Sequence, residues 1–164
     1  MQWLSALLFS AFTVSVSARN LGIDYDFRNA DGNCKSQADW EAHFRTAASR
    51  GMRFARLYST NDCGNQLMKA VPAALNTGTM INVGIWLNGN DDQHFGYEKG
   101  ALLDVLAAYP DSTKWMYAIT VGSEDLYRGG ISPHDIAMKV YDVRGMVRAK
   151  GVVAPVGHAD NGSW

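Results

Sequence analysis

The sequence lacks the features that would tie it to charged partners or to metal. In its 164 residues, 15 Lys and Arg nearly cancel 16 Asp and Glu, leaving a net charge of −1. No Lys/Arg cluster forms, which argues against nucleic acid or an anionic membrane as the main partner. Only two cysteines exist, Cys34 and Cys63, and no CxxC or Cys/His spacing suggests zinc. The four histidines are scattered, with His43 and His134 on helix surfaces, so neither a metal site nor a nucleophilic triad is supported. There is no GxSxG elbow, no Walker phosphate loop, and no glycine-rich turn after the first strand (Asp24 to Asn29). No cofactor is indicated.

Long apolar runs are also missing, except at the start. Residues 1–18, MQWLSALLFSAFTVSVSA, carry no charged side chain and close on Val16-Ser17-Ala18. With Val16-Ser17-Ala18 giving small residues at the two positions a signal peptidase reads, they read as a secretory signal peptide cut before Arg19, predicting a secreted chain with no membrane attachment after cleavage. The alternative is an N-terminal anchor, but the run from Trp3 to Phe12 falls short of the ~20 residues a span needs. In an oxidising compartment the two cysteines suggest a disulfide, which would stabilise by about 3.5 kcal/mol in the chain-entropy picture. Two buried free thiols are the other reading.

What is present is a repeating pattern. Strand-like runs occur at Leu21–Phe27, Arg53–Tyr58, Met80–Leu87, Trp115–Val121 and Val152–Val156. Between them, Trp40, Phe44, Ala47 and Ala48 share one helix face, as do Leu102, Leu103, Leu106 and Ala107, and Ile136, Val140, Val143 and Val147. Ser36 with Asp39, and Ser132-Pro133 with Asp135, are helix starts; Gly51, Gly78 and Gly151 are helix stops. Pro72 inside LMKAVPAALN predicts a bend or break. Four βα units and a fifth strand imply a parallel α/β sheet, either a doubly wound flavodoxin-like sheet or part of a (β/α)8 TIM-type barrel. A whole barrel takes about 250 residues.

The strand ends carry the polar and aromatic side chains: Tyr25, Asp26 and Arg28; Arg56 and Tyr58; Trp86 and Asn88; Glu124, Tyr127 and Arg128; His158, Asp160 and Trp164. Flat aromatic faces beside hydrogen-bonding groups suit a sugar ring. Glu124, delivered by the apolar run Trp115–Val121 and the break at Gly122-Ser123, is the candidate catalytic acid.

At these residues the chain resembles glycoside hydrolase family 17, the 1,3-β-glucanases. TVGSEDLYRG is similar to the acid-bearing fourth strand of the fungal cell-wall branch. LGIDYDFRNADGNCKS is similar to its first strand and cysteine loop, and RFARLYSTNDCGNQL to its second strand with the second cysteine. VGIWLN and APVGHADNGSW resemble the third and fifth strands, so the likeness runs from Arg19 to Trp164. The resemblance implies a (β/α)8 fold, of which residues 19–164 form the N-terminal part. It also implies an extracellular or cell-wall location and retaining hydrolysis of β-1,3-glucan without a cofactor. By motif, Glu124 matches the general acid/base. Tyr25, Arg56, Tyr58, Asp160 and Trp164 match strand-end positions that bind or support substrate, with Trp86, Ser123 and Tyr127 beside them. Many relatives carry Asn directly before the acid, where Ser123 stands here.

The family's nucleophilic Glu lies on a later strand, and this sequence ends at Trp164. Retaining glycosidases need two carboxyl groups about 5–5.5 Å apart. Asp125 is poorly placed, since adjacent strand residues face opposite ways; Asp26 and Asp160 stand at other strand ends. The expectation is therefore a chain that carries the acid/base without its nucleophile, as an impaired hydrolase. The competing readings are a non-catalytic secreted glucan binder and an inactive fragment. Open edges at the first and fifth strands predict self-association. Asn161-Gly162-Ser163 is a glycosylation sequon, expected to be unoccupied at the catalytic rim.

Overall fold

The computed structural model describes residues 21–162. The signal-peptide expectation for residues 1–18 and the site expectation for Trp164 lie outside the described residues. Five strands, β1 (Leu21–Tyr25), β2 (Met52–Leu57), β3 (Met80–Ile85), β4 (Met116–Ser123) and β5 (Val156–Ala159), form one sheet in the order β1-β2-β3-β4-β5. All neighbouring pairs are parallel. A doubly wound sheet reverses its strand order partway; this sheet never does, which is the order of a (β/α)8 barrel. Four full helices intervene: α1 (Gln37–Ser49), α3 (Leu67–Thr77), α4 (Asp92–Ala108) and α5 (Pro133–Arg148), with a single turn, α2 (Asp62–Asn65), before α3.

The helices cover one face of the sheet because strand side chains alternate. Ala55 and Leu57, Ile81, Val83 and Ile85, and Ile119 and Val121 are buried with Trp40 and Phe44 of α1, Leu102 and Val105 of α4, and Val143 and Val147 of α5. The alternate set, including Phe54, Arg56, Asn82 and Thr120, lies on the other face. There Phe54 packs against Tyr117 at 4.5 Å between ring centroids, and Thr120 reaches Asn82 at 3.0 Å. Ser36 closes a reciprocal capping box with Asp39 at the start of α1, and Ser132 caps α5.

Two expectations are corrected. β5 starts at Val156, where the apolar run had placed the strand over Val152–Val156. Pro155 has no N–H to give a ladder, and Arg148 at the end of α5 donates to the carbonyls of Val152 and Ala154, holding that segment against the helix. Pro72 does not interrupt α3. The break falls earlier, at Cys63, Gly64 and Asn65, which turn left-handed at φ 54°, 70° and 60°. Cys34 and Cys63 form a disulfide, tying the loop after β1 to this turn after β2.

Candidate active site

The site grows from the end of β4. Gly122 has φ +77° and Glu124 has φ +57°. A non-glycine residue in the left-handed region is uncommon and persists only where its surroundings enforce it. Here they do. The Glu124 N–H donates to Ala159 O of β5 at 3.0 Å, and the Glu124 carbonyl accepts from Arg128 N at 2.9 Å. Asp125, buried beneath the turn, accepts from Ser123 N at 2.7 Å and from Arg128 Nη2 at 2.6 Å. A Cβ on Gly122 would overlap Asp125 Oδ2 and lie 3.0 Å from His158 Nδ1, so the strand can pass there only as glycine.

Held this way, the Glu124 side chain is exposed to a cleft of about 310 Å³ that also meets Arg56, Tyr58, Trp86, Ser123, Arg128 and Asp160. Arg56 crosses from β2 to donate to Ser123 Oγ at 3.1 Å, and its guanidinium sits 4.5 Å over the Tyr58 ring. Its Nε–H is buried with no acceptor among the described residues. Arg128 lies 4.6 Å over the Trp86 ring. Each aromatic wall is therefore backed by a cation beside the acid.

Tyr58 donates its hydroxyl to Asp24 at 2.7 Å. That hydrogen bond, then burial, push the phenol up from its ordinary value, with the charges of Asp24 and Glu124 adding and Arg56 opposing. Burial pushes the Asp125 carboxyl up, against the pull of Arg128 and the Ser123 N–H. Burial also acts upward on Asp160, but hydrogen bonds from His158, Leu126, Asn161 and Tyr127 outweigh it and hold this carboxyl below the usual range.

The remaining candidates divide. Tyr25 stands away from Glu124: its ring packs on Trp40 and Phe44 at 5.9 and 5.7 Å, and its hydroxyl donates to His43 O of α1. It lines a second cleft of about 530 Å³, with Asp24, Asp26 and Asp62, which adjoins the first through Tyr58 and Trp86. Tyr127 is exposed at the rim, outside the lining of the Glu124 cleft. Asp160 reaches the cleft, although both of its oxygens are engaged by neighbouring N–H groups. Among the described residues, Glu124 and Asp160 are the only carboxylates lining that cleft.

Sequence reasoning missed Glu98, which is fully buried and accepts from Ser59 Oγ, Thr60 N and Thr60 Oγ1. It ties α4 to the end of β2, just after Tyr58. The signal was present: Glu98 falls between Phe95 and Leu102 on the apolar stripe of α4, where a charged residue needs buried partners. Among the described residues no cluster of His, Cys, Asp or Glu could hold a metal ion, and no helix is long and apolar enough to cross a membrane.

One acid on a rigid strand end, with flat aromatic faces and donors around it, can deliver a proton to an oxygen bridging two sugars. On this part of a (β/α)8 barrel, that arrangement defines a protein of the glycoside hydrolase class. The family model of the BtgE/BtgC glycoside hydrolase domain matches residues 22–164, and the chain belongs to that family. A probable glucan endo-1,3-beta-glucosidase of Aspergillus oryzae is 32% identical over 98% of this chain and 38% of its own length. A glucan 1,3-beta-glucosidase of Schizosaccharomyces pombe is 39% identical over 84% of the chain and 41% of that protein, and one of Saccharomyces cerevisiae is 36% identical over 98% and 47%. The chain thus spans less than half of each. A Rhizomucor miehei beta-1,3-glucanosyltransferase, solved as an active-site mutant with laminaritriose, superposes with a TM-score of 0.67 at 27% identity. It is matched over 80% of this chain and 47% of that one.

Proposed function

We propose that this chain is the acid-bearing part of a secreted glycoside hydrolase of family 17, fungal cell-wall branch, acting on β-1,3-glucan by a retaining two-carboxylate mechanism. Glu124 is the general acid/base: it protonates the glycosidic oxygen as the bond breaks, then deprotonates the incoming water. The second carboxyl, the nucleophile, comes from outside the described residues. Trp86 and Tyr58 offer faces to the sugar rings, and Arg56 and Ser123 offer donors to the hydroxyl groups. Residues 1–18 direct export.

The observation that carries this reading is the left-handed Glu124 at the carboxyl end of β4, in one cleft with Trp86 and Tyr58. The relatives named as glucan 1,3-beta-glucosidases support the substrate class. The test compares Glu124→Gln with its parent in a longer chain that also carries the second carboxyl. Laminarin turnover by that parent, reduced at least ~100-fold in the variant with laminaritriose binding kept, is the expected result. Equal turnover in both would remove Glu124 from the chemistry.

A second reading, a glucan binder without turnover, is favoured by one fact. Asp160, the other carboxylate in the cleft, is already engaged by backbone N–H groups. Laminaritriose binding with no turnover even in that longer parent selects it.

A further inference from the structure

We propose that Asp160, backed by His158, is a positioning residue that sets the turn carrying Glu124 and does not bind the sugar. This rests on Glu124 being the acid. Asp160 Oδ2 accepts from Leu126 N at 2.8 Å and faces His158 Nε2 at 3.0 Å. Oδ1 accepts from Asn161 N at 2.9 Å and from Tyr127 N at 3.4 Å. A carboxylate offers about four lone-pair sites, so these contacts leave none for a sugar hydroxyl. Leu126 and Tyr127 are the second and third residues after the acid, and Glu124 N itself donates to Ala159 O. The end of β5 therefore grips the turn at Glu124 and again just beyond it, which keeps the acid in its left-handed conformation.

His158 makes this grip depend on protons. Its Nδ1 lies 2.7 Å from Val121 O on β4, the strand that carries the acid, while its Nε2 faces Asp160. Neither oxygen has a proton to give, so both hydrogen bonds form only when the ring carries two. The other charged groups nearby are Asp125 in the turn, with Arg128 against it, and Arg144 of α5, which donates to Val156 O. Leu87 and Gly122 complete the surroundings. The grip is closed while the ring is charged and loosens as the ring loses its second proton.

The test uses the ¹⁵N-labelled 164-residue chain as wild type, Asp160→Asn, Asp160→Ala and His158→Gln. Amide exchange, corrected for intrinsic rate, is followed at about pH 5 and about pH 8, and laminaritriose is titrated at both. Wild-type protection of Leu126 should fall at least ~10-fold between the two pH values. Asp160→Asn should weaken the protection at both values, because Leu126 N and His158 Nε2 meet at one atom, which as oxygen cannot donate to a neutral ring and as nitrogen cannot accept from Leu126. Asp160→Ala should lose the protection at both values, and His158→Gln should make it independent of pH. Ile119, which donates to Pro155 O, reports whether each variant has folded. The Glu124 amide shift on adding laminaritriose should shrink at least ~5-fold in Asp160→Ala while the Trp86 indole still responds.

Leu126 protection independent of pH in wild type, or Asp160→Ala matching wild type in both readouts, overturns the proposal. If laminaritriose moves neither Glu124 nor Trp86 in any variant, the glucan reading falls, and the exchange pattern still decides the role of Asp160.

Discussion

Asp125 Oδ1 accepts from Arg128 Nη2 at 2.6 Å, and this contact folds the turn that presents Glu124. Asp125 is buried and its carboxyl is pushed up by that burial, while Arg128 pulls it back down. Replacing Arg128 with Met removes the pull. A carboxyl raised in the folded state costs stability as pH climbs from the unfolded pKa through the folded one. Arg128→Met loses its bonds to the Ser123 and Glu124 carbonyls at any pH, and should lose roughly 1–2 kcal/mol more at pH 7 than around pH 4, a modest figure because Arg128 is 40% exposed. Urea unfolding at the two pH values checks it; an equal loss at both would refute the charge argument.

Gly122 and Gly100 make a contrasting pair. Gly122→Ala would force a left-handed alanine into overlap with Asp125 Oδ2, and should cost about 2–4 kcal/mol. Gly100 lies within α4, where a Cβ meets nothing within 4 Å. Gly100→Ala should stabilise by about 0.5–1 kcal/mol. Denaturant midpoints of both variants against wild type measure the difference.

Glu98→Leu should leave Ser59 and Thr60 with buried donors and no acceptor, at a cost of about 3 kcal/mol or more. The end of β2 should loosen with it. Amide exchange at Thr60 N, which donates to Glu98 Oε2 at 2.7 Å, is expected to rise well above that of β3 amides.

Reducing the Cys34–Cys63 bond opens a loop with a sequence separation of 29. A loss of about 3.5 kcal/mol is expected in the chain-entropy picture. Thermal melts with and without reductant, repeated on Cys34→Ala/Cys63→Ala, give the value. An unchanged midpoint would mean that buried contacts alone hold the two loops together.

Much of the frame was legible. The apolar faces of α1 and α5, the serine caps and the glycine stops all fell at the expected positions, because local geometry and periodicity alone decide them. The acid at the end of β4 was legible for the same reason: a buried strand announces where it stops. β5 was misread because an apolar run cannot say whether a helix side chain such as Arg148 will claim its carbonyls before a neighbouring strand does. Pro72 was misread because α3 runs from Leu67 to Thr77 through it, while the break lies earlier, in the left-handed turn at residues 63–65 that carries the disulfide to Cys34.

The site divides along the same line. Sequence by itself determined the alternation of strand and helix, the placing of polar and aromatic groups at strand ends, and the prominence of Glu124, since each follows from the pattern of near neighbours. Tertiary structure decided the strand order that separates a barrel from a doubly wound sheet. It turned Tyr25 onto α1 and buried Glu98 under β2. It also committed Asp160 to the backbone beside the acid. Each of these depends on which distant groups meet across the fold, and on how buried charges and N–H groups find partners once water is excluded.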